Sequence, residues 1–103
     1  MEKVIAGKTV EVNDEGYLTN FAQWDKDIAQ AIANEEGVGE LTANHWQVIE
    51  YCQNEYKNES PLSIRKIGKS GVVDIEKFYE LFPQGPLKKA TKIAGIPKPV
   101  SCI

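Results

Sequence analysis

The sequence predicts an α+β fold: a small N-terminal antiparallel β-meander packed on an array of about five helices, with an extended C-terminal arm. Three observations lead there. The first twenty residues are rich in β-branched side chains and alternate in hydropathy. After them the apolar period becomes helical. Beyond Gly95, Pro97 and Pro99 forbid any further helix and push their neighbours toward extended backbone.

In the meander, "KVIAGKTVEV" supplies two strands around an Ala6-Gly7 turn, and "NDEGYL" a second turn at Asn13–Gly16 before a short strand at Tyr17-Leu18. Val4, Val10 and Val12 are expected to face the helices. Trp24, Ile28 and Ile32 fall at i, i+4, i+8 and mark the first helix, which "EEG" closes at Gly37. Thr42 is an N-cap candidate for a helix over about 43–58, with Trp46, Ile49, Cys52 or Gln53, and Tyr56 as its apolar stripe. Ser60-Pro61 reads as the start of a short helix through Ile64 and Ile67 that Gly68 ends. A turn at Ser70-Gly71 precedes a helix over about 73–82 with the stripe Ile75, Phe78, Tyr79 and Phe82, stopped by Pro83 and Gly85. Pro86 opens the last helix, which Gly95 caps.

The length of 103 residues, 42% of them hydrophobic and 26% charged, fits one domain, with the meander in 1–20, the helices in 21–95 and the arm in 96–103. No apolar run approaches the roughly 20 residues of a membrane span, and "MEKVIAGKTVEV" lacks the apolar core of a signal peptide. A cytoplasmic protein with no membrane partner is expected. The net charge of −3 hides an asymmetry: from Pro86 onward stand Lys88, Lys89, Lys92 and Lys98 and no acid, so the preceding residues carry −7. An acidic body with a basic tail suits a tail that meets an acidic protein surface, a nucleic acid or an anionic cofactor, or one that is simply kept solvated.

His45, Cys52 and Cys102 are too few and too scattered for a tetrahedral zinc site, and no cofactor is expected. Cys52 is in step with Trp46 and Ile49, which reads as a buried, inert thiol. His45 has no Asp or Ser partner in sequence and reads as a surface or packing residue; the tyrosines at 51, 56 and 79 and both tryptophans read as core or half-buried. Residues 61–82 admit a helix–turn–helix with Arg65, Lys66 and Lys69 on phosphates. Its second helix would offer Asp74, Glu76 and Glu80 to the groove, so direct nucleic-acid binding is disfavoured.

The arm remains. A sulfur carrier needs an accessible thiolate that reaches two differently shaped sites in turn. Cys102, beyond a lysine-rich capped helix and a "GIPKP" spacer, meets the second requirement, and the prolines lower the entropy lost on docking. Lys92 and Lys98 favour its thiolate, the α-carboxylate of Ile103 opposes it, and the sign of the sum stays open.

Residues 81–103, "LFPQGPLKKATKIAGIPKPVSCI", resemble the signature of the DsrC/TusE family, and "GKTVEVNDEGYL", the Trp24 segment, "EEG" and "NHWQVIEYCQNEY" follow in the family's order. The family includes the gamma subunit of dissimilatory sulfite reductase and the sulfur-relay protein TusE. The resemblance implies a β-meander on a helical array with a mobile arm, and makes Cys102 the sulfur-carrying residue. Lys88, Lys92, Gly95, Pro97, Lys98 and Pro99 would set the arm's reach and docking. The sulfite-reductase branch carries a second arm cysteine where this chain has Thr91. The single-cysteine pattern is therefore similar to TusE, implying a TusBCD-like donor complex and a tRNA-thiolating acceptor, the chain acting with partner enzymes rather than alone. The compact stretch between Arg65 and Phe82 resembles the sulfite-reductase branch, which leaves a siroheme sulfite-reductase-like partner as the alternative.

Overall fold

The computed structural model describes residues 1–99; residues 100–103, and with them Cys102, lie outside the described part. Strands β1 (Glu2–Ile5) and β2 (Lys8–Glu11) form an antiparallel hairpin. Its two-residue turn puts Ala6 and Gly7 at φ 54° and 77°, the left-handed pair that matches the strands' twist. The register explains which valines face inward. Lys3 lies opposite Val10 and Val4 opposite Thr9. Since successive residues alternate faces, Ile5, Val10 and Val12 share the buried side, while Val4 points out and is 67% exposed. The expectation that Val4 faces the helices is thus corrected.

The third strand shrinks to one bridge, Val12 to Leu18. The Asn13 carboxamide oxygen accepts the N–H groups of Glu15 and Tyr17, which tightens this turn. Two residues past Leu18, Asn20 accepts from the Ala22 N–H and starts a short 3₁₀ turn (Phe21–Gln23) that ends the extended run.

Helix α1 (Lys26–Glu35) begins after Trp24, because Asp25 caps it by accepting the Ile28 N–H at 2.9 Å. The Lys8 ammonium, with that N–H, holds the Asp25 carboxyl below its ordinary range. Helix α2 (Ala43–Lys57) starts at Thr42 as expected. His45 Nδ1 accepts from the Thr42 N–H at 3.0 Å, so the ring proton sits on Nε2, which donates to the Leu81 carbonyl at 2.8 Å. This ties the start of α2 to Leu81.

The buried face of α2 is His45, Val48, Ile49 and Cys52. Trp46 stands about 60° round from Ile49 at the edge of that arc and is half-buried. Tyr56 is in the last turn and 44% exposed, so the expected stripe holds at Ile49 and Cys52, with Trp46 packed at its edge, and fails at Tyr56.

Helix α3 (Ile64–Lys69) starts three residues later than Ser60-Pro61 implied, because Ser63 captures the Lys66 N–H at 3.0 Å. Gly68 lies inside α3 rather than ending it. A Cβ there would stand 2.4 Å from Ile75 Cγ1, so glycine permits the close approach of the next helix. Helix α4 (Ile75–Leu81) is capped by Asp74 and buries Phe78, Leu81 and, just past its end, Phe82. Ile75 and Tyr79 lie on its far side, 46% and 47% exposed, which corrects the expected stripe. Phe82 meets His45 and Phe78 edge-on at 5.1 and 5.8 Å.

Helix α5 (Pro86–Ile93) is the hub: it packs on α1 and α2 and also touches α4. Five of its eight residues are buried, although it belongs to the basic segment, because its lysines occupy the remaining arc. The fold is α+β, with the two-stranded sheet packed against five helices. No helix among the described residues is long and apolar enough to cross a membrane.

Cys52 is 0% exposed, and burial pushes its thiol up to about 12. The shift opposes ionisation, so the nucleophilic thiolate is scarce at neutral pH. Iodoacetamide at pH 8 is expected to leave Cys52 unmodified in the native protein and to alkylate it fully in denaturant, read by peptide mass mapping. Rapid native labelling of Cys52 would contradict this packing.

Candidate functional site

The candidate site is the base of the arm, where α5 ends. A helix leaves its last four carbonyls without intrahelical partners, and here each one is satisfied. Ala94 is the C-cap and Gly95 follows in left-handed conformation at φ 76°. The Gly95 N–H donates to the Lys92 carbonyl and the Ile96 N–H to the Thr91 carbonyl, both at 3.2 Å, which is the Schellman pattern.

The next two carbonyls are taken by side chains from elsewhere in the chain. Trp24 Nε1 donates to the Ile93 carbonyl at 2.8 Å, and Gln53 Nε2 to the Ala94 carbonyl at 2.8 Å. The Trp24 ring also covers Gly95 so closely that a Cβ there would lie 2.4 Å from its Cδ1. Ile96, 1% exposed, anchors the first residue beyond. The chain therefore leaves the body from a held point.

Among the expected docking residues, Lys88 and Pro97 are exposed, while Pro99 is half-buried. Gly95 is buried, so its part is conformational. Lys92 is committed to the body: its Nζ lies 3.1 Å from Glu36 Oε2 and over the Tyr17 ring, with the side chain 16% exposed. The end of its side chain lies close to Gly16. Lys98 Nζ lies 3.0 Å from Glu15 Oε2 in a more open pair. Ile96, Pro97 and Pro99 form one wall of a mainly apolar groove of about 330 Å³, whose other wall includes Tyr56, Pro61 and Leu62.

Thr91 is 0% exposed, and its hydroxyl donates to the Leu87 and Lys88 carbonyls at 2.8 and 3.1 Å. The position that would carry a second arm cysteine faces the interior of the fold. No group of three or more His, Cys, Asp or Glu that could hold a metal exists among the described residues. In the 61–82 segment, Lys66 is engaged by Glu55 at 2.7 Å and by Ser60, so its charge is already met within the fold.

Trp24 and Gln53 were not legible as site residues. They stand 69 and 41 positions from the carbonyls they cap, and in their own helical pattern they read as stripe residues.

Gly95→Ala is expected to destabilise the protein by about 2–4 kcal/mol, combining the left-handed backbone penalty with overpacking against Trp24. Urea unfolding checks this, and a loss below about 1 kcal/mol would show that the Trp24 contact gives way easily.

Comparison with known proteins agrees with this geometry. The family model described as "DsrC like protein" matches residues 4–103. The protein named sulfurtransferase TusE of Salmonella paratyphi A is 44% identical, the match covering 97% of this chain and 98% of the relative. The crystal structure titled dissimilatory sulfite reductase I (DsrI) superposes with a TM-score of 0.87 at 35% identity, covering both chains fully. The oxidised gamma subunit of dissimilatory sulfite reductase (DsrC) from Archaeoglobus fulgidus gives a TM-score of 0.81 at 31% identity, again over the whole of both chains. With a family match over almost the entire chain and relatives well above 30% identity, the chain belongs to the DsrC-like family.

Proposed function

We propose that the protein is a cytoplasmic sulfur carrier that accepts a sulfane sulfur on Cys102 and passes it to an acceptor protein. The observation that carries this reading is the fully capped end of α5, from which a proline-stiffened segment runs to Pro99, three residues short of Cys102. The similarity to proteins named sulfurtransferase TusE supports it. The relay would be TusE-like, with a TusBCD-type complex as donor and a tRNA-thiolating enzyme as acceptor.

The chemistry is thiol exchange. The Cys102 thiolate attacks the outer sulfur of a donor persulfide, the donor's S–S bond breaks, and the donor leaves as a thiolate while Cys102 becomes a persulfide. An acceptor thiolate then attacks the terminal sulfur and Cys102 is regenerated. Electrons and atoms balance without an external oxidant. Lys92 and Lys98 each share their charge with a carboxylate of this chain, Glu36 and Glu15, and a partner's site can add to the field that favours the thiolate.

Glutathione persulfide added to the native protein is expected to place one sulfur on Cys102, and Cys102→Ser to acquire none, by intact mass and peptide mapping. Undiminished loading of the variant, or loading at Cys52, would contradict the reading.

A second reading, association with a sulfite-reductase-like complex, is favoured by the likeness to the two sulfite-reductase chains. Chemistry requiring a second arm thiol is closed to it, since Thr91 supplies only a buried hydroxyl. The two readings differ in what co-purifies. Siroheme absorbance in the complex captured through a Cys102 mixed disulfide supports the reductase, and a tRNA-thiolating activity supports the relay.

A further inference from the structure

We infer that Trp24 and Gln53 are positioning residues for sulfur transfer between proteins: by capping the last two carbonyls of α5, they fix where and in which direction the arm leaves the body. This rests on the carrier reading above, and asks what distinguishes transfer to a protein from transfer to a small thiol.

Ile93, Ala94, Gly95 and Ile96 are buried, so the carbonyls at this helix end need partners within the protein. The Schellman bonds close the turn and meet two of the four terminal carbonyls, leaving those of Ile93 and Ala94. Here an indole from the segment before α1 and a carboxamide from α2 converge on adjacent carbonyls, each at 2.8 Å. The same indole lies against Gly95, and Ile96 is buried immediately after. Two separate parts of the chain therefore converge on the step at which the arm begins, and Ile96 is buried just beyond it.

The consequence is geometric. With Ile96 to Pro99 held, a chain rise of at most about 3.6 Å per residue keeps Cys102 within about 11 Å of Pro99. Release of the chain from Gly95 onward would let it range over about 25 Å. The volume searched grows about tenfold, and for a partner that grips the body the effective concentration of the thiol falls by the same factor. A small persulfide, which approaches from any side, does not sense the difference.

The test uses the full-length protein with two donors: glutathione persulfide, and a persulfide-loaded TusBCD-type complex. Gln53→Met and Trp24→Phe each remove one donor while retaining bulk. Each is expected to slow acceptance from the protein donor about tenfold, with loading from glutathione persulfide changed less than twofold. Gln53→Lys, which restores an N–H donor, is expected to recover most of the rate. Equal slowing with both donors, or none with the protein donor, would overturn the assignment. Failure of the wild-type protein to load from either donor would instead contradict the carrier reading. The clamp is then judged by spin-label distances between Cys102 and an Asn44→Cys site on α2. A broader distribution in Gln53→Met upholds it, and an unchanged one overturns it.

Discussion

Four carbonyl oxygens at the end of α5 constrain the rest of this molecule. An unmet buried acceptor costs about 1–3 kcal/mol, so a helix that ends inside the fold must find partners for them. The backbone supplies two through Gly95 and Ile96. The others come from Trp24 and Gln53, which obliges the segment before α1 and the third turn of α2 to sit against the same point. The packing of α5 on α1 and α2 is the larger-scale expression of that demand. Burial of Leu87, Ala90, Ile93 and Ala94 supplies the bulk of the driving force.

The electrostatics divide the basic segment in two. Lys92 is half-sunk between Glu36 and the Tyr17 ring, where its charge steadies the turn at Gly16. Lys88 stays exposed and available to a partner. Lys98 lies between these cases, its pair with Glu15 open enough to solvent to be worth at most about 1 kcal/mol. A docking partner can exchange that contact for one of its own at little cost. The arm base is therefore held by hydrogen bonds, packing and the Lys92 pair, and the charge of Lys98 is only lightly committed.

Local chemistry made much of this fold legible in the sequence. Gly7 and Gly95 announce their roles through left-handed backbone that glycine favours, Pro86 through its preset φ at the first helical position, and Thr42 through its preference for N-caps. Errors arose where tertiary context chose among local options. Ser63 outcompeted Ser60 as a cap, and Gly68, which reads as a helix stop, serves the approach of Ile75. Val4 is in a run of alternating apolar residues, yet the register opposite Thr9 turns it outward. For the site, the unusual composition of the C-terminal stretch drew attention to it, while Cys102 itself lies outside the described residues. Trp24 and Gln53 were not legible, because a hydrogen bond across 69 or 41 residues leaves no trace in local pattern.

The account turns on the start of the arm being held as firmly as the helix it leaves. Residue-resolved amide hydrogen exchange at Ile96, whose N–H bonds to the Thr91 carbonyl, measures that directly. Protection comparable to that of Ala94 inside the fold is the result expected. Exchange at Ile96 as fast as in an unstructured peptide, with Ala94 still protected, would show that the arm starts free and would contradict the account.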